Sequence, residues 1–179
     1  MKNLYVSLGI SIGVPAGILC GIATLIGDAV NAGSIPVDIG ITAWPAFIAW
    51  ALYYAIGGKP SGMGKVMAAN TEGALVSMLI VALLTPFAGM GAAMSLTIAV
   101  IIGGFIMCAV ANWNVLSFVP GAFCGCASAF GFGVGLDVHI LIQLLLSMYI
   151  GAVLGWLSEL WGVAQMSKSW KEAQKADAA

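Results

Sequence analysis

The chain has 179 residues, of which 61% are hydrophobic and only 7% are charged, and its mean hydropathy is +1.07. Soluble domains have about a quarter charged residues, so this composition excludes an ordinary soluble globule. The chain has no arginine, six lysines and a net charge of -1, which excludes a basic surface for nucleic acid. We therefore expect an integral membrane protein.

Apolar stretches long enough to cross a bilayer recur along the chain. A hydrocarbon core of about 30 Å needs about 20 apolar residues per helix, because each backbone amide must be bonded within its own segment. Six such stretches predict an all-α protein with six transmembrane helices, at residues 4–27, 39–57, 66–87, 92–111, 115–134 and 138–161. They form one transmembrane domain at 1–166, and a polar cytoplasmic tail follows at 167–179.

The lysines indicate the orientation, because short lysine-rich loops stay on the cytoplasmic side of a membrane. With the amino terminus inside, all six lysines lie in the cytoplasm, while Asp28, Asp38 and Asp137 lie outside. Both termini are therefore expected in the cytoplasm. A cleaved signal peptide is the weaker alternative for the first segment. Lys2 is the only basic residue before the apolar run, and that run is long for a signal peptide.

Two pairs of short motifs suggest an internal repeat. The residues WPAF at 44–47 resemble VPGAF at 119–123, and VSM at 76–78 resembles LSM at 146–148. Each half would hold three helices, and an odd number of spans would make the two halves lie inverted in the membrane. The alternative is a chance match between apolar segments.

Ridges of small residues occur on two predicted helices. Such ridges let helices approach closely in lipid, so we expect each to touch another helix, in the same chain or in another. The ridge of the first helix recurs at every fourth position, at Gly9, Gly13, Gly17 and Gly21. The ridge of the fifth helix consists of Ser117, Gly121, Gly125 and Ala129.

The segment VLSFVPGAFCG at 115–125 resembles a segment of the YcdZ-like bacterial inner-membrane proteins, a family of unknown function. The resemblance extends more loosely from Trp44 to the end of the sixth helix. It implies a small multi-span protein of the bacterial cytoplasmic membrane. Because the family has no established activity, the resemblance carries no functional residue over to this chain.

Glu72 is the most costly polar group inside a predicted span. It lies about two turns, or roughly 10 Å, into the third helix, and a carboxylate there needs a partner, water or a proton. Lys65 lies two turns away on a similar face. Glu72 is therefore either a cation-attracting group in a vestibule or an interfacial residue at a helix start.

A polar stripe runs along the sixth helix. Because a helix advances 100° per residue, residues four apart drift by only about 40° and share one face. The stripe consists of His139, Gln143, Ser147, Gly151, Gly155 and Glu159. This pattern is typical of a narrow polar pathway, and the alternative is a packing face with glycine grooves.

Prolines inside spans kink a helix or free a carbonyl, which can line a cavity. Pro15, Pro45 and Pro120 are examples inside the predicted spans. Together with the polar groups above, this gives a set of candidate pore or substrate-binding residues. The set consists of Glu72, His139, Gln143, Ser147, Ser117 and Pro120.

The sequence gives little support for catalysis or metal binding. The four cysteines fall inside predicted spans, and Cys124 and Cys126 point about 200° apart on a helix, so we expect no metal site and no cofactor. A nucleophile such as Ser117 would need a base, but His139 is predicted near the opposite membrane face. We therefore do not expect an enzyme.

Two classes of function remain. The first is a channel or facilitative transporter for a small neutral or weakly ionised solute, such as urea, ammonia or a short amide. The second is a non-transporting accessory or scaffold subunit whose glycine ridges pair with another membrane protein. The expected partners are the lipid bilayer and a small-molecule solute. Because six spans enclose little volume alone, we also expect a homo-oligomer.

Overall fold

The computed structural model describes residues 2–32 and 40–165, and the predicted tail at 167–179 lies outside them. Over the described residues the structure has helices and no strands, which confirms that the protein is all-α. The six α-helices are α1 Lys2–Asn31, α2 Ala43–Ala55, α3 Lys59–Phe87, α4 Ala92–Ala109, α5 Val119–Phe132 and α6 Val138–Gln165. Short 3-10 turns lie at Ala88–Met90, Val110–Asn112 and Asn114–Leu116.

The helices fall into two length classes. Four contain segments long and apolar enough to cross a membrane, at Leu8–Ala29, Lys59–Met90, Ala92–Asn112 and Val138–Ala164. α2 and α5 have only 13 and 14 residues. These lengths correspond to about 20 Å of helix, less than the roughly 30 Å of a hydrocarbon core. The chain is a membrane protein in which four long helices accompany two short ones.

α3 begins earlier than predicted, at Lys59 instead of residue 66. Gly57 and Gly58 make the preceding turn at φ 95° and 69°, angles that favour glycine. Pro60 then stands in the first turn of the helix, where a missing N–H leaves no intrahelical bond unmade. The predicted depth of Glu72 is therefore wrong, because it lies about 20 Å from the start of α3, near its middle.

Two of the prolines expected inside spans stand at helix starts. Pro120 is in the first turn of α5, which begins at Val119 instead of residue 115. Pro45 is in the first turn of α2. Proline suits the first turn because its φ is already helical and its nitrogen needs no partner there. Neither proline therefore kinks its helix or frees a carbonyl, whereas Pro15 does lie inside α1.

Each short helix packs mainly against one long helix from the other half of the sequence, and the two pairs pack in the same way. α2 packs mainly against α6, and α5 packs mainly against α3. In both pairs the backbones touch at a glycine. A Cβ atom on Gly73 would overlap the carbonyl oxygen of Ala122, and one on Gly151 would overlap that of Ala46. The WPAF and VPGAF motifs, which contain the two alanines, thus occupy equivalent places in the packing.

The second pair of motifs does not occupy equivalent places. Ser77 lies four residues after Gly73, whereas Ser147 lies four residues before Gly151. The Ser77 hydroxyl donates to the carbonyl oxygen of Ala74 in its own helix, at 2.7 Å. The resemblance of VSM to LSM therefore does not support the repeat.

α1 is peripheral and packs mainly against α6. Its predicted glycine ridge at Gly9, Gly13, Gly17 and Gly21 is exposed, and nothing lies within 4 Å of a Cβ position on any of the four. The part of the chain that the structure describes therefore leaves this face uncovered. By contrast, Gly121 and Gly125 of the second ridge do face α3, where added Cβ atoms would meet Ala69 and Asn70.

We expect Gly73→Ala and Gly151→Ala each to lower the free energy of unfolding by about 1–3 kcal/mol or more, because the added methyl group meets a backbone carbonyl that cannot rotate away. Gly64→Ala in α3 is the matched control, since nothing lies within 4 Å of its Cβ position. Thermal unfolding in detergent measures the three variants. Equal midpoints for all three would contradict the packing described here.

Candidate functional site

Residues 40–42, directly before α2, are non-helical and are held against α6. Gly40 has φ +63°, and the backbone N–H of Thr42 donates to the Ser147 hydroxyl oxygen at 3.0 Å. The same oxygen lies 3.3 Å from the carbonyl oxygen of Gly40. Ser147 lies about 13 Å along α6 from its first residue, Val138. At membrane depth, non-helical backbone is tolerated only where protein encloses it or where it lines a cavity.

A cavity of about 680 Å³ opens at this segment, between α1, the start of α2 and α6. Its polar side chains are Thr24, Asn31, Thr42 and Gln143, and no described residue that lines it is charged. Its volume falls within the roughly 300–1,000 Å³ of most small-molecule sites. Such a cavity suits a small polar molecule without a full charge.

The amino terminus of α2 adds backbone donors to the cavity. Thr42 stands at the N-cap but makes no side-chain capping bond, and its hydroxyl lies 3.3 Å from the Gly40 carbonyl oxygen instead. The first N–H groups of a helix have no intrahelical partner and carry the positive end of the helix dipole. The Thr42 N–H donates to Ser147 and Pro45 has no N–H, so the donors that this helix end offers to an oxygen acceptor are the N–H groups of Ala43, which lines the cavity, and Trp44.

The inner half of the polar stripe on α6 is a packing face. A Cβ atom on Gly155 would meet the ring of Tyr53 at 2.8 Å, and the Glu159 carboxylate accepts from the Tyr53 hydroxyl. The same carboxylate accepts from the backbone N–H of Lys59 at 3.1 Å. The prediction of a pathway along the whole stripe is therefore wrong, because α2 covers this part of it.

The outer half of the stripe contributes to the cavity in two ways. Gln143 lines it, and Ser147 holds the segment that forms its edge. His139, one turn earlier, is exposed and is not among the lining residues. Its backbone N–H donates to the Asp137 carboxylate at 2.8 Å, so Asp137 caps α6. The structure thus brings together Gln143 and Ser147 and leaves His139 at the surface.

Ser117 and Pro120 lie elsewhere. Ser117 precedes α5 and does not continue its ridge, and the Lys65 ammonium donates to its hydroxyl at 3.3 Å and to the Asn114 side-chain oxygen at 2.9 Å. These bonds join the start of α3 to the segment before α5. Pro120 is exposed in the first turn of α5. The predicted residues therefore do not form one site.

Three polar side chains are enclosed near the middle of the fold. Both side-chain atoms of Asn70, both carboxyl oxygens of Glu72 and the Ser128 hydroxyl are buried without a hydrogen-bond partner among the described residues. Leaving a buried polar group unsatisfied costs about 1–3 kcal/mol, and more for a charged one. Lys65 does not pair with Glu72, because its ammonium is bonded to Asn114 and Ser117.

Asn70 and Ser128 were missed from the sequence. The signal for Asn70 was present, since Asn70, Thr71 and Glu72 interrupt an otherwise apolar run. Placing the helix start at residue 66 put this run near an interface, where polar side chains are ordinary. Nothing in the sequence distinguishes Ser128 from the other serines of the spans.

The cysteines differ in their surroundings. Cys126 is buried and Cys124 half-buried, whereas Cys20 and Cys108 are exposed. Within the residues that the structure describes, no three His, Cys, Asp or Glu side chains come together as a metal site would require. Because Cys20 lines the cavity, the reactivity of its thiol shows whether water enters the cavity.

These features define an all-helical membrane protein with a polar cavity at the start of a short helix, and the described residues that line this cavity carry no charge. The chain belongs to the family described as "Protein of unknown function (DUF1097)", whose model matches residues 9–163. The family is uncharacterised, as the sequence resemblance implied, while the narrower likeness to YcdZ-like proteins stays a prediction. Comparisons with curated proteins and with solved structures found no match. The family does not supply a function.

We expect a water-soluble maleimide to modify Cys20 far faster than Cys108 in the membrane-embedded protein. Both thiols are exposed, but Cys20 lines the cavity, whereas Cys108 shares a face of α4 with the exposed side chains of Ile101 and Phe105. Thiols react as thiolates, which require water. Mass spectrometry of the labelled peptides measures both rates, and equal rates would show that the cavity is not hydrated.

Proposed function

We propose that the protein is a channel or facilitative transporter for a small neutral or weakly ionised polar solute, such as urea, ammonia or a short amide. One observation carries this proposal: a polar cavity, whose described lining residues are uncharged, lies at the amino terminus of a short helix that follows the non-helical residues 40–42. Many transporters bind substrate at the ends of such short or broken helices near the membrane midplane.

The groups around the cavity favour a solute that has both hydrogen-bond acceptors and donors. The first turn of α2 presents N–H donors, and the Gln143 side chain is an amide with donor and acceptor atoms. An ion would lose its hydration there without meeting an opposite charge among the described lining residues. A planar amide such as urea would match these groups.

Passage of a solute requires movement, because an apolar cluster closes the interior below the cavity. Ala49 and Leu52 of α2 pack in this cluster with Leu144 and Met148 of α6. The contact between α2 and α6 is therefore the barrier that must open. The Lys65 contact with Asn114 and Ser117, before the other short helix, would be its counterpart at the opposite end.

We infer that all six helices cross the bacterial cytoplasmic membrane, with both termini inside and the two halves inverted. The matching contacts of Gly73 and Gly151 support two equivalent halves. The non-helical segments before α2 and α5 would complete the crossing that these short helices begin. Lys59 and Lys65 lie at the opposite ends of the helices from Asp28 and Asp137, as the orientation rule requires.

A second candidate function is an accessory or scaffold subunit that transports nothing. The uncovered glycine ridge of α1 favours it, since four exposed glycines on one face permit close approach of another helix. The same ridge is compatible with a homo-oligomer of a transporter. A flux measurement therefore decides between the two candidates.

We expect proteoliposomes that contain the protein to equilibrate at least one of urea, acetamide, glycerol and ammonium faster than empty liposomes do. Gln143→Leu should remove most of this extra flux, because it replaces the amide that lines the cavity with an apolar group. Ile142→Leu is the matched control, since Ile142 is the exposed neighbour of Gln143 and does not line the cavity. Stopped-flow light scattering measures the flux.

The same experiment separates the two candidates. If neither the parent protein nor Ile142→Leu moves any of these solutes faster than empty liposomes, the facilitator is contradicted and the accessory subunit is favoured. If Gln143→Leu keeps the flux of the parent protein, the solute does not pass through this cavity.

A further inference from the structure

Glu72 lies on the side of α3 that faces α4. It precedes Val76 by one helical turn, and residues four apart share a face. A Cβ atom on Gly103 of α4 would lie 3.1 Å from a methyl carbon of Val76. The two carboxyl oxygens are buried and have no hydrogen-bond partner among the described residues. The proposed solute path does not use this group, which lies away from the cavity lining.

No described cation neutralises Glu72. Lys65, two turns earlier on the same side of α3, donates to Asn114 and Ser117 at the end of the molecule. Lys59 stands at the start of the helix, about 20 Å away. A carboxylate at this position would therefore be a buried charge without a counter-ion.

None of the described titratable groups on the neighbouring helices is hydrogen-bonded to the Glu72 carboxyl group. On α6, the hydroxyl of Tyr149 is hydrogen-bonded to Thr71 at 2.5 Å. On α4, the Cys108 thiol is exposed. On α5, the thiols of Cys124 and Cys126 are half-buried and buried, and neither has a hydrogen bond to Glu72. Asn70 lies on the opposite side of α3, against Gly125.

We propose that Glu72 is a proton-binding site of the protein interior, occupied by a proton in the packing described here. A protonated carboxyl is neutral, so burial costs it far less than it costs a carboxylate. The alternative occupant is a metal cation, which needs several oxygen ligands. No group of three or more His, Cys, Asp or Glu side chains in the described residues supplies them.

Proton binding at Glu72 is thereby linked to the packing of α3 against α4. Releasing the proton leaves a charge that water or a cation must reach, and the contact between Val76 and Gly103 obstructs that access. A loss of the proton should therefore loosen this contact. The proposal does not depend on solute transport, so it can be tested on the purified protein without any solute.

Infrared spectroscopy tests the site directly. We expect the parent protein at neutral pH to show the C=O stretching band of a protonated carboxyl group, and Glu72→Gln to lack it. Glu159→Gln is the matched control and should keep the band, because the Glu159 carboxylate accepts hydrogen bonds from Tyr53 and Lys59. If Glu72→Gln instead loses carboxylate bands, the proposal is overturned.

The pH dependence of stability gives a second test. If the folded state holds a proton that the unfolded state releases, stability falls as the pH rises. The thermal midpoint of the parent should therefore fall more steeply than that of Glu72→Gln as the pH rises from about 4.3, where a free glutamate titrates, to neutral pH. Parallel curves would contradict the proposal. A Glu72→Gln variant that does not fold would also contradict it, since glutamine has the shape and neutrality of the protonated side chain.

Discussion

The fold depends on two backbone contacts, in which a carbonyl oxygen at the start of a short helix lies against a glycine in the middle of a long one. Gly73 receives Ala122, and Gly151 receives Ala46. In lipid no hydrophobic force drives helices together, so close packing at small residues must supply the attraction. The contact between Gly151 and Ala46 packs α2 against α6. Thr42, directly before α2, then lies within hydrogen-bond distance of Ser147.

Composition and hydropathy were sufficient to predict an all-helical membrane protein and to locate its six helices. They did not predict helix ends, because an apolar run continues through both the helix and the non-helical segment before it. The prolines locate two helix starts more accurately than hydropathy does, because Pro60 and Pro120 stand in the first turns of α3 and α5. The prediction started the third helix at residue 66, after Pro60, and this put Glu72 near an interface instead of at mid-helix.

The stripe on α6 could not be interpreted from its spacing, because a polar pathway and a glycine packing face have the same helical period. Only the partner helix distinguishes them. Gly155 and Glu159 lie against α2, while Gln143 remains at the cavity. The unpaired oxygens of Glu72 are a separate feature on α3. The protein thus has a polar cavity at one end and an enclosed carboxyl group at its centre, on different helices.

The central claim is that short α5 crosses the membrane, so that the two halves lie inverted. Impermeant thiol reagents test it on single cysteines at Val115 and Leu136, exposed positions on either side of α5, in a chain whose four native cysteines are replaced by alanine. In intact spheroplasts, Leu136→Cys should react, and Val115→Cys should react only after permeabilisation. Reaction of both from the same side would show that α5 does not cross and that the halves are not inverted.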